Sequence, residues 1–134
     1  MAFCDPTEFV FCEQRKLKSL ANLIGRTPLL AVHLKWKGQH RVIFAKAEHY
    51  NLTGSTKDRM SLNILRTAYA NGDLVPNDTI AEATSGSAGI AIAALARALG
   101  HPVRIYMPDW MSEERKVLLT SLGVDLRLVS RDAG

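Results

Sequence analysis

Apolar positions change their spacing several times along the chain, and each change predicts an element. Leu17, Leu20, Ala21 and Ile24 recur at three- and four-residue intervals, which predicts a short helix over residues 13–24 with Gly25 as its stop signal. Gly25-Arg26-Thr27-Pro28 then turns the chain, because Pro28 forbids helix through this point. The apolar-rich runs 29–34 and 42–47 read as strands, separated by a loop over 35–40 and able to pair as a hairpin. Helical spacing returns at Leu62, Leu65 and Tyr69, so a helix is expected over residues 57–71, with Ser55 or Thr56 as its N-cap and Gly72 just beyond its end.

From there the pattern is regular. A strand over 79–83 leads through the glycine-containing turn 84–89 into an alanine-rich helix that ends at Gly100. A strand over 103–107 follows, and after Pro108-Asp109-Trp110 a helix capped by Ser112 carries Glu113 and Glu114 in its first turn, where the helix dipole favours them. Gly123 ends that helix and a strand over 125–129 follows. Strand, helix, strand, helix, strand with such short connections predicts an α/β fold: a parallel sheet built by right-handed βαβ crossovers. The chain then reaches residues 130–134, where a further helix is expected, so the ending reads as an interruption.

The composition narrows the class. With 134 residues, 47% hydrophobic and 22% charged, the chain reads as an ordinary soluble globular unit of about one domain. A net charge of +4, with basic residues (Arg15, Lys16, Lys18, Lys35, Lys37, Arg41) interleaved with one aromatic, Trp36, reads as a solvated face, and no nucleic-acid partner is expected. Cys4 and Cys12 have no second pair and no nearby histidines to complete a metal site, so no metal is expected and a reducing cytoplasmic location is the simplest inference. The first twelve residues lack a leading positive charge and do not read as a signal peptide. The longest apolar run, 88–96, is far too short to span a bilayer, and no membrane partner is expected.

Two stretches carry candidate chemistry. Asn51-Leu52-Thr53-Gly54-Ser55-Thr56-Lys57-Asp58-Arg59 is a loop turning into a helix, and it places Lys57 in the first turn, where a cation opposes the dipole. That potential disfavours the ammonium and raises the share of neutral amine that can attack a carbonyl. The alternative is an exposed lysine whose charge Asp58 offsets. The turn Thr84-Ser85-Gly86-Ser87-Ala88-Gly89 lies at the carboxyl end of a strand and opens a helix, where backbone amides and hydroxyls suit a carboxylate or phosphate. Its alternative is a serine-capped turn with glycine for tight packing. It is not a P-loop, because the Lys-Ser/Thr of that motif is missing. A lysine at one helix start and an anion-binding turn at another suit amino-acid chemistry.

Ile24-Gly25-Arg26-Thr27-Pro28-Leu29, then 51–59, then Glu82-Ala83 with 84–89 resemble, in order and spacing, the N-terminal part of the cysteine synthase and cystathionine β-synthase family. Those are pyridoxal-phosphate enzymes of fold type II, and the likeness runs from about residue 20 to the end. It implies a division into an arm, 1–12, and the N-terminal part of a catalytic region, 13–134, whose C-terminal half is absent. By this resemblance Lys57 matches the lysine that forms the internal aldimine with pyridoxal phosphate and later moves a proton at the substrate α-carbon. Thr84, Ser85, Gly86, Ser87 and Ala88 match the loop that grips the substrate carboxylate, and Ser87 also matches the residue that bonds the cofactor's phenolic oxygen. The implied reaction is β-replacement on an activated serine, such as O-acetylserine, with sulfide to give cysteine. The family usually has asparagine at Ser87, threonine at Ala88 and proline at Leu52. The serine resembles a desulfhydrase-like branch, which leaves β-elimination as an alternative, and a truncated non-catalytic remnant as another. The family's phosphate cup comes from later sequence, so a complementing C-terminal polypeptide is one expected partner, and since family enzymes are commonly dimers a homodimer is another, besides a small amino-acid substrate.

Overall fold

The computed structural model describes residues 15–133. The expected arm over 1–12, both cysteines and the start of the first helix lie outside them. Residues 15–21 are helical (α1) and end in successive turn bonds, Asn22 to Ser19, Leu23 to Leu20 and Ile24 to Ala21. Leu17, Leu20 and Ala21 pack on the core from this helix, and Ile24 is buried just past its end, as their spacing predicts.

The hairpin is longer and tighter than its sequence suggests. β1 (Leu29–Trp36) and β2 (Gln39–Lys46) pair antiparallel from Leu29 opposite Lys46 to Trp36 opposite Gln39. The loop expected over 35–40 shrinks to two residues, Lys37 and Gly38, with φ of 48° and 78°. Two central residues at positive φ twist a turn to match the strands, so pairing extends to the tip. Lysine at the first position hides this turn from sequence reading.

After a 3₁₀ turn, Glu48–Tyr50, the chain enters α2 (Lys57–Asn71), closed by Gly72, whose amide meets the Ala68 and Tyr69 carbonyls. Then come β3 (Ile80–Ala83), α3 (Ser87–Ala98), β4 (Val103–Pro108), α4 (Glu113–Ser121) and β5 (Asp125–Val129). The sheet order is β3-β4-β5, with both pairs parallel, and α3 and α4 supply the crossovers. Ser112 does occupy the N-cap of α4, but its hydroxyl makes no cap bond to the helix amides.

The core lies around the middle strand. Val103, Ile105 and Met107 alternate inward along β4 and meet Ile92, Leu95, Ala96 and Leu99 of α3, Leu119 of α4 and Leu65 of α2. Each fully buried Leu, Ile or Met side chain contributes about 1.5–3 kcal/mol relative to exposure. Ala91, Ala93 and Ala96 are fully covered, and their small side chains bring α2 and α4 close to α3. One buried polar group stitches the ends of these elements. His101 has its Nδ1 2.9 Å from the Asp78 carbonyl and its Nε2 on the Tyr69 hydroxyl. A carbonyl only accepts, so Nδ1 carries the proton and Nε2 accepts from the tyrosine.

Candidate active site

Lys57 is the first residue of α2 and is exposed. Thr56 holds the N-cap position, yet the hydroxyl that reaches the helix belongs to Ser55, whose Oγ accepts the Lys57 amide at 3.1 Å. Among the described residues no side chain bonds the Lys57 ammonium, so the amine is available to a ligand. The residues around it are tightly engaged. Asp58 is fully buried, and its carboxylate accepts the Thr53 amide at 2.7 Å and the Thr53 hydroxyl. Asn51, also buried, accepts the Gly25 amide at 2.8 Å and donates to the Glu48 carbonyl, the Glu48 carboxylate and the Ser55 carbonyl.

Glu48 joins this loop to the chain before the hairpin. Arg59 grips both of its oxygens, Nε to Oε2 at 2.8 Å and Nη2 to Oε1 at 2.9 Å, and the Thr27 hydroxyl donates to Oε1 at 2.6 Å. The Arg59 guanidinium, with Thr27 and Asn51, pulls the Glu48 carboxyl down from its ordinary 4.5 to about 2. Glu48 and Thr27 were not among the expected site residues. Thr27 lies within the Gly25–Pro28 turn that carries the family likeness, whereas Glu48 lies just before the Asn51–Arg59 motif and no local signal marks it.

The second loop follows β3. The Thr84 Oγ1 accepts the amides of Gly86 and Gly89, each at 3.3 Å, and so folds the turn back on its own strand. Gly89 is obligatory here, since a Cβ at that position would lie 2.2 Å from Thr84 Cγ2. The Ile90 amide goes to the Gly86 carbonyl. The first amides of a helix have no intrahelical partner, which leaves those of Ser87 and Ala88 as donors at the mouth of α3. Thr84 therefore serves the loop's own backbone before it serves a ligand.

α2 packs along α3. A cavity of about 190 Å³ follows this seam, lined by Met60, Ser61, Ile64 and Ala68 of α2, Leu74 beyond its end, Ala81 and Glu82 of β3, and Ala88 and Ile92 of α3. Ser61 is fully buried and its Oγ is the one buried side-chain polar atom without a partner among the described residues. A second, more open cavity of about 350 Å³ lies at the carboxyl ends of the strands, against Thr84, Ser85, Tyr106, Pro108 and Trp110. Thr84 and Ser85 thus face one cavity and Ala88 the other, while Lys57, Gly86 and Ser87 line neither. An exposed lysine amine suits an aldehyde cofactor, and a helix mouth with two open amides suits a carboxylate.

Residues 20–134 match the family model described as pyridoxal-phosphate dependent enzyme. The chain belongs to that family. Pyridoxal phosphate is the family's cofactor, and the α/β architecture is that of the N-terminal part of fold type II. A hydrogen sulfide-producing enzyme from Fusobacterium nucleatum is 54% identical to the chain, with a TM-score of 0.84 over 89% of this chain and 36% of that one. Cysteine synthase B of Salmonella typhimurium is 36% identical over 88% of this chain and 39% of the enzyme. A putative mitochondrial cysteine synthase of Saccharomyces cerevisiae is 42% identical over 86% of this chain and 30% of its own length. The chain therefore spans about two fifths or less of each of these three relatives. Among the described residues no helix is long and apolar enough to cross a membrane.

Proposed function

We propose that the chain supplies the lysine and the carboxylate loop of a pyridoxal-phosphate enzyme of the cysteine synthase kind, which replaces the β-substituent of an activated serine such as O-acetylserine with sulfide. What supports this reading is an exposed lysine in the first turn of α2, its ammonium bonded by no side chain among the described residues, in the same chain as a braced turn that opens α3 on unbonded amides. Lys57 would hold the cofactor covalently through Nζ, and Ser87 would face its ring hydroxyl. When bound, the cofactor supplies an electron-accepting ring that stabilises negative charge at the substrate α-carbon. Lys57, once released, takes and returns the α-proton as general base and acid. The Ser87 and Ala88 amides, with the Ser85 hydroxyl, bind the α-carboxylate, and the Thr84 brace keeps those donors aimed before substrate arrives.

A second reading, β-elimination that releases sulfide from cysteine, is favoured by one comparison: the 54% identical neighbour is a hydrogen sulfide-producing enzyme. Ser87 and Ala88 support it as well, since both are shorter or less polar than the asparagine and threonine usual in cysteine synthases. Residues 13–134 are proposed as one catalytic part, completed by a phosphate cup from a C-terminal segment outside them; a homodimer is proposed separately, as the assembly common in the family. A cytoplasmic setting is proposed on the sparse cysteines.

The test is a paired product assay on protein carrying this segment, with O-acetylserine plus sulfide in one arm and cysteine alone in the other. Cysteine formation dominating supports replacement, and sulfide release dominating supports elimination. Lys57→Ala is expected to abolish both, and a Lys57→Ala protein that keeps either activity contradicts the reading.

A further inference from the structure

The polar hub of Thr27, Glu48, Asn51 and Arg59 beside the lysine loop has no role in the chemistry proposed above. We propose that Glu48 is a positioning residue for Lys57, acting through Arg59 and Asn51 to fix the first turn of α2 and the loop that leads into it. The inference rests on the reading of Lys57 as the cofactor lysine.

The geometry is that of a three-point mount. The two residues that follow Lys57 are tied in different directions, Asp58 into the loop at Thr53 and Arg59 across to Glu48. The residue two before Lys57 is tied through its carbonyl to Asn51 Nδ2, and Asn51 in turn bonds the Glu48 carboxylate. Ties on both sides of one residue fix the rotation of a helical turn about its axis, and so the direction in which the Lys57 side chain leaves the helix. Glu48 is the member both routes share. It also reaches Thr27, whose carbonyl is bonded by Lys46 at the end of β2, so the mount is anchored to the hairpin. A bidentate arginine–carboxylate pair is directional as well as attractive, which suits it to positioning. The strong acidity of the Glu48 carboxyl agrees with a fully engaged anion.

A long flexible lysine on an unmounted turn would still be reactive toward any small electrophile. What it would lose is the one orientation a cofactor needs, and misplacement of about 1 Å can cost on the order of a hundredfold in rate. This separates positioning from plain stability.

The experiment uses the wild-type chain, Glu48→Gln and, as the conservative variant, Arg59→Lys, all at a temperature where each is folded. Hydrogen exchange of the 53–58 amides is measured beside that of α3, together with labelling of Lys57 by pyridoxal phosphate, trapped with borohydride, and separately its acetylation by acetic anhydride. Glu48→Gln is expected to speed exchange at least tenfold over 53–58 and not in α3. Pyridoxal-phosphate labelling of Lys57 should fall at least tenfold while acetylation is unchanged, with Arg59→Lys intermediate. Unchanged exchange over 53–58 overturns the proposal, and so does a uniform acceleration that includes α3, since that is a merely structural loss. If wild-type Lys57 takes no pyridoxal phosphate at all, the assigned role of the lysine fails, while the exchange data still decide whether Glu48 mounts its turn.

Discussion

The hairpin and the parallel unit are built from similarly apolar strands and end in opposite situations. In β4, Val103, Ile105 and Met107 are buried between flanking strands and α3, and the intervening residues face outward. In β1 and β2, Leu29, Leu30, Val32, Val42, Ile43 and Phe44 are all exposed, Phe44 at 69%. Alternation is not what separates them. A strand buries its apolar face only when something lies against it, and an isolated two-stranded hairpin is marginal in water. The parallel unit carries its own cover in α3 and α4, whereas the hairpin is held at its base, by Ala47 bonded to Pro28 and by the Lys46–Thr27 link into the polar hub. So large an unpartnered apolar surface marks an interaction face. Since the chain spans two fifths or less of the relatives compared above, the proposed occupant is the rest of the catalytic fold.

The contrast can be broken by mutation. Ile105→Ala opens a cavity in the core these elements share, and is expected to cost about 2–5 kcal/mol in denaturant unfolding of the chain. A cost below about 1 kcal/mol would mean that the parallel unit is not the stable part. Gly89→Ala should cost about 1–3 kcal/mol, because its methyl meets Thr84 Cγ2. Pairing it with Thr84→Ser, which removes that methyl and keeps the bonding oxygen, should recover most of the loss; no recovery would place the strain elsewhere.

Acid sharpens the same comparison at the base of the hairpin. The Glu48 carboxyl is lowered from 4.5 to about 2 in the folded chain, so its contribution is complete above pH 4.5 and is lost as pH falls through about 2. The melting temperatures of wild type and Glu48→Gln should therefore differ by a constant amount above about pH 5 and converge toward pH 2. A difference that grows on acidification would contradict the hub. Ser61→Ala removes a buried hydroxyl that has no partner, and is expected to be neutral or stabilising by about 1 kcal/mol in the same assay. The smallest effect is expected in the hairpin itself: Phe44→Ser should change stability by no more than about 0.5 kcal/mol. A larger loss would show that the face is covered in solution.

Most of the fold is legible in the sequence because its signals are local. The helix over 57–71 has its boundary residues written beside its periodicity, and the strand over 125–129 lies between Gly123 and a polar run. The Lys37–Gly38 turn is not legible, since lysine at positive φ is unusual and nothing nearby announces it. The candidate site divides in the same way. Lys57 and 84–88 can be read from helix starts and from the family likeness. The Glu48 hub cannot, because it is closed by bonds to the Gly25–Thr27 turn that join residues 21 to 32 positions apart and depend on how the hairpin folds back. Ser112 shows the limit of local signals even where the position is right, since its hydroxyl leaves the helix amides alone.

The central claim is that Lys57 is the amine that takes the cofactor. Purified chain is titrated with pyridoxal phosphate, reduced with borohydride, digested and mapped. Saturable label on the peptide containing Lys57, absent in Lys57→Ala, is the predicted result. A folded chain labelled equally on Lys46 or Lys116, with no preference for Lys57, would contradict the account.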